Sequence, residues 1–134
     1  MWPFVSDPPS AVQFITLLLC LVMGLSHLLR PGIWVRFFTL LADKGMSGVI
    51  VQGLVSAPPA ALIVVLHEVW YGPALVVTIL GWMLMAKVWV GLLLPEKGLR
   101  SLKLARDNER GFRFAGVVLL FVAASAGLAL WQGA

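Results

Sequence analysis

Residues 74–94 read ALVVTILGWMLMAKVWVGLLL and run directly into Pro95-Glu96-Lys97-Gly98. This stretch carries a single charge, Lys87, and ends where proline and glycine mark a turn. A helix needs about 20 predominantly apolar residues to cross about 30 Å of hydrocarbon, so the stretch reads as a transmembrane span. Three more runs of this kind occupy residues 11–29, 46–66 and 112–131. The predicted fold class is an all-α integral membrane protein: a four-helix transmembrane bundle, up-down-up-down, in one domain over residues 1–134.

Composition agrees with that reading. Hydrophobic residues are 60% of the 134, charged residues 12%, and mean hydropathy is +0.96. Globular domains run at about 45–50% apolar and about 25% charged, which excludes a soluble domain, a disordered tail and a nucleic-acid module together. The net charge of +4 and pI near 9.9 therefore belong to charge flanking a membrane, and no nucleic acid is expected as a partner. Cys20, the single cysteine, forms neither an internal disulfide nor a cysteine metal cluster. No Lys or Arg precedes the first apolar run and no small-x-small cleavage site follows it, so the first span is expected to be retained.

Orientation follows from the cations. Arg30, Arg36 and Lys44 lie between spans one and two; Lys97, Arg100, Lys103, Arg106, Arg110 and Arg113 lie between or at the edges of spans three and four. The positive-inside rule puts both long loops in the cytoplasm and both termini outside, and the expected location is a bacterial inner (plasma) membrane. Asp7, His67 and Glu68 then face outward, with Trp2, Trp70, Tyr71 and Trp131 as the outer aromatic belt.

The two cytoplasmic connections resemble each other. Leu28-Leu29-Arg30-Pro31 recurs as Leu92-Leu93-Leu94-Pro95, and Asp43-Lys44-Gly45 recurs as Glu109-Arg110-Gly111. The likeness fits two tandem parallel hairpin repeats and equally the generic form of a helical hairpin. Residues 32–43 place Trp34, Phe37, Phe38 and Leu41 on one helical face, the pattern of an amphipathic helix lying on the inner leaflet. Residues 97–110 set Leu99, Leu102 and Ala105 beside Arg100, Lys103, Arg106 and Arg110. Those four cations either fix topology or also contact anionic lipid, at about 1 kcal/mol each.

Lys87 is the charge inside a span, and a membrane-embedded ammonium costs about 2.5 kcal/mol or more unless it snorkels or finds a partner. No Asp or Glu lies within any predicted span. Counted from the cytoplasmic ends, Gln52 of span two sits at nearly the depth of Lys87, with Ser56 a turn deeper. Pro58-Pro59 interrupts the same helix and kinks it, freeing the carbonyls of Leu54 and Val55. The lysine is either satisfied by these groups and by snorkelling, or it binds an anionic ligand, a lipid headgroup or a partner's carboxylate.

Two stripes of small and polar residues predict close helix packing. Gln13, Thr16, Cys20, Gly24 and His27 line one face of span one, and Gly45, Gly48, Gln52, Ser56 and Pro59 line one face of span two. They are expected to face each other, which places His27 among the ligand or partner contacts with Lys87, Gln52 and Ser56. Trp82, Met85 and Trp89 lie opposite Lys87 and point to lipid or a partner; Ala123, Ser125 and Gly127 suit close contact in span four.

His67-Glu68 forms a polar pair at the outer end of span two, read as an exposed interfacial pair or as a proton relay. Adjacent residues on a helix point about 100° apart and do not converge on one ligand. The two histidines belong near opposite membrane faces, too far apart to share a haem. Zinc wants three or four converging ligands and no such set is visible, so no metal and no cofactor are predicted. Enzyme is the class these residues support least. The expected function is a non-enzymatic accessory or assembly subunit, packing against itself or a larger membrane complex through lipid-embedded faces. The alternative is an oligomeric transporter or channel for an anionic or lipid-like solute, using the intramembrane lysine.

Overall fold

The computed structural model describes residues 3–133 and contains six helices: α1 (Pro8–Leu29), α2 (Pro31–Asp43), α3 (Met46–Leu66), α4 (Ala74–Leu93), α5 (Pro95–Leu104) and α6 (Glu109–Gln132). Four of them, α1, α3, α4 and α6, are long and apolar enough to cross a membrane. Trp2 of the expected outer belt lies outside the described residues; Trp70, Tyr71 and Trp131 are exposed.

Local sequence sets the ends. Helix α1 starts three residues before the predicted span because Asp7 caps it, accepting the Ser10 N–H at 2.8 Å while Ser10 Oγ accepts the Asp7 N–H at 3.1 Å. The Ser10 bonds hold the Asp7 carboxyl below the usual aspartate value. Pro31 and Pro95 occupy first-turn positions of α2 and α5, where a missing N–H costs nothing. Helix α3 runs unbroken through Pro58 and Pro59.

The second amphipathic segment is shorter than expected. Helix α5 stops at Leu104, and Asp107, with φ 53°, turns the chain in the left-handed region that Asp tolerates. Asn108 then caps α6, accepting the Gly111 N–H at 3.0 Å. Arg110 and Arg113 therefore belong to the first turns of a long apolar helix.

Helix pairing also differs from the expectation. All five stripe residues of α1, Gln13, Thr16, Cys20, Gly24 and His27, are buried, but α1 packs most extensively on α6, and α3 on α4. The cause is complementary size. A Cβ on Gly116 would stand 2.8 Å from the Gly24 carbonyl oxygen, so the α1 and α6 backbones touch there. Cys20 packs with Val122 and Ala123, and Val12 with Ala126, so the two helices run antiparallel. Of the α3 stripe only Gly48 is buried, against the Leu41 carbonyl in the last turn of α2.

The aromatic face of α2 turns toward protein, where the sequence pattern predicts the leaflet. Leu41 and Ala42 are buried with Val49 of α3 and Leu102 of α5, and Phe38 meets Phe112 at 5.2 Å between ring centres. Phe37 remains exposed. Helices α2 and α5 thus pack together across one end of the bundle.

Candidate functional site

Two polar sites lie at different depths of the bundle. The first is a crease between α3 and α4, lined by Val49, Gln52, Gly53, Ser56, Lys87, Val88 and Gly91. It brings together three of the predicted site residues, Lys87, Gln52 and Ser56. The helices approach closely because of the glycines: a Cβ on Gly53 would stand 2.9 Å from Leu92 Cδ2. Lys87 reaches the surface of the bundle. Among the described residues the ion pairs are Arg106 with Asp43 and Arg113 with Glu109, so Lys87 has no carboxylate, and Lys87, Gln52 and Ser56 form no side-chain hydrogen bond. The crease has room for about one water molecule.

Helix α5 closes the end of this crease nearest α2. A Cβ on Gly98 would stand 2.7 Å from Val49 Cγ1 and 3.3 Å from Gly91 Cα. Lys87 is exposed where it lines the crease.

The second site sits at the opposite end and differs from the sequence expectation. His67 is 1% exposed and Glu68 is exposed, so the proposed outer pair is split. The reason is local: α3 ends at Leu66, and His67 at φ −130°, ψ 85° directs its ring into the bundle. Thr78 Oγ1 donates to the Val69 carbonyl at 2.6 Å, which leaves its lone pair to accept His67 Nδ1–H at 2.9 Å. His67 Nε2 then accepts from Gln13 Nε2 at 3.1 Å. The bonding fixes a neutral imidazole, and burial pushes it below the ordinary histidine value. Among the described residues Gln13 Oε1 is buried without a partner, an arrangement that costs about 1–3 kcal/mol. Thr78 carried no signal on its own; counting depth from this end places it level with Gln13 and His67.

His27 lies away from both sites. Its Nδ1 donates to the Met23 carbonyl at 2.7 Å, and its ring stacks on Trp34 at 4.1 Å while Trp34 Nε1 donates to Ser26 Oγ at 2.8 Å. It is a packing residue of the α1–α2 junction and does not join Lys87. Trp82 and Trp89 are 44% and 54% exposed, with Met85 half-buried between them. Arg100, Lys103, Arg106 and Arg110 are exposed, and Arg106 pairs with Asp43. Pro58 is exposed and Pro59 half-buried. Among the described residues no three His, Cys, Asp or Glu side chains gather to hold a metal ion.

These features define the class: an all-helical protein with four membrane-length apolar helices and a lysine set on the outside of the bundle. No family profile, curated protein or solved structure matches the chain.

Proposed function

We propose that the chain is a non-enzymatic accessory or assembly subunit of a membrane complex. The observation that carries this reading is the exposed position of Lys87 beside half-buried Gln52 and Ser56, in a crease too narrow for a solute larger than water. Polar groups serving transit face a shared aqueous path, whereas polar groups on an outer face meet a neighbour within the bilayer. The exposed Trp82 and Trp89 supply a further apolar face for lipid or a partner.

The arrangement in the membrane is up-down-up-down, with both termini outside and both long loops in the cytoplasm of a bacterial inner membrane, following the cation distribution. Arg100, Lys103 and Arg110 then face the inner leaflet and attract anionic lipid. The two halves, α1–α3 and α4–α6, form a tandem parallel repeat. Its support is the matched junctions at Arg30-Pro31 and Leu94-Pro95 and the reciprocal pairing of α1 with α6 and α4 with α3.

Native mass measurement after gentle extraction from the source membrane tests the function. A larger membrane polypeptide in fixed ratio with the chain is the expected result; a chain that emerges alone or only with its own copies overturns the accessory reading. The alternative, an oligomeric transporter for an anionic or lipid-like solute, requires copies to bring several Lys87 side chains around one path. Solute flux in liposomes holding the purified chain is its measure.

A further inference from the structure

We infer that Lys87, exposed at the edge of the α3–α4 crease, pairs with a carboxylate carried on a transmembrane helix of a different polypeptide. The inference rests on the accessory reading and names the partner's chemistry.

Three side chains with donors line the crease, and among the described residues none of them makes a side-chain hydrogen bond. The Lys87 ammonium offers up to three N–H bonds, the Gln52 amide two and the Ser56 hydroxyl one. That set matches the two oxygens of a carboxylate, which accept about four bonds. A membrane-embedded cation is stabilised by an opposite charge at its own depth, where the low dielectric strengthens their attraction.

Depth decides what supplies the anion. Lys87 stands six residues inside the end of α4, or about 9 Å at 1.5 Å per residue. Between it and that end, Leu92 and Leu93 are exposed and apolar, and α5 covers the crease through Gly98. A lipid phosphate held at the headgroup level lies beyond these leucines. A second copy of this chain has no suitable acid either. Its six carboxylates, Asp7, Asp43, Glu68, Glu96, Asp107 and Glu109, all stand at or beyond the ends of the four long helices. The carboxylate therefore comes from another chain, on a helix whose apolar side covers Val55 and Met83, both exposed beside the crease.

The test compares the full-length chain with Lys87→Met, Lys87→Arg, Lys87→Glu and Gln52→Leu after gentle extraction, with native mass and sequencing of what is bound. The expected partner carries an Asp or Glu within a spanning segment. Its retention falls at least about tenfold in Lys87→Met and further in Lys87→Glu, falls about threefold in Gln52→Leu, and persists in Lys87→Arg. Exchanging the charges, Lys87→Glu here and the partner's acid for lysine, restores binding. Unchanged melting of Lys87→Arg and Lys87→Met in detergent separates lost binding from lost fold. A partner retained in Lys87→Met overturns the inference and leaves the accessory reading standing, as does a partner with no acid in its spans. A phospholipid, and no polypeptide, lost in Lys87→Met overturns both. No bound polypeptide in the unaltered chain does the same.

Discussion

The junctions between α1 and α2 and between α4 and α5 share a backbone and differ in what fills the angle. Arg30 (φ −131°, ψ 55°) and Leu94 (φ −128°, ψ 67°) break their helices in the same way. Each gives its N–H to the carbonyl four residues back, at 2.8 Å to Ser26 and 2.9 Å to Val90, and each is followed by proline. Four residues before the proline stand His27 in one and Gly91 in the other; three after it stand Trp34 and Gly98. The first angle is filled by stacked rings and the second by backbone against backbone. One break in the chain is thus compatible with two closures, and the choice sets how near the short helix lies to the long one. Rings hold α2 off α1, whereas glycines let α5 settle onto α3 and α4 over the Lys87 crease.

The largest expected effect comes from forcing the first closure onto the second junction. Gly98→Trp has no room beside Val49 and Gly91, and overpacking of this kind costs about 3 kcal/mol. Thermal unfolding in detergent should show the loss, and limited proteolysis should show α5 released. Removing the first closure is next. Trp34→Ala deletes the stack on His27 and the bond to Ser26, a loss of about 2–3 kcal/mol for a half-buried ring. Trp34→Phe keeps the ring and loses about 1 kcal/mol with the indole N–H, so a phenylalanine variant as unstable as the alanine one contradicts the assignment of ring stacking as the main contribution.

His67 serves as a comparison from the opposite end, since it is a histidine held by hydrogen bonds on both nitrogens. Its folded value lies below the ordinary 6.5, so the unfolded chain binds the proton more readily. Stability should be constant well above pH 6.5 and fall as pH drops through and below it. Melting temperatures across that range should slope for the unaltered chain and flatten in His67→Asn. The smallest effect belongs to the Arg106–Asp43 pair, which joins the end of α2 to the turn after α5 at an exposed site. Arg106→Ala should cost less than about 1 kcal/mol and lose even that at high salt.

The four spans were legible because hydrocarbon length is a local property, visible in any 20-residue window. The buried stripe of α1 was legible for the same reason: helical periodicity fixes which of its residues share a face. The partner of that stripe was not. It depends on which neighbour presents equally small residues, and Gly116, Ala123 and Ala126 make α6 that neighbour. Depth counting found Lys87 beside Gln52 because α3 and α4 are consecutive antiparallel helices joined by a short turn. At the other end Gln13, His67 and Thr78 meet from three different elements, with no charge among the three to mark the place. The outward position expected for both His67 and Glu68 holds only for Glu68, because past the end of α3 at Leu66 the backbone turns the His67 ring into the bundle.

The most extensive pair in the bundle joins the first long helix to the last. Synthesis from the N-terminus therefore delivers α1 to the membrane long before the surface made for it exists. Helices α3 and α4 meet as soon as both are inserted, while the groove of small residues on α1 stays open until α6 arrives. Closure of this bundle waits for α6, and a chain stopped at residue 108 would present Thr16, Cys20 and Gly24 to whatever helix came near.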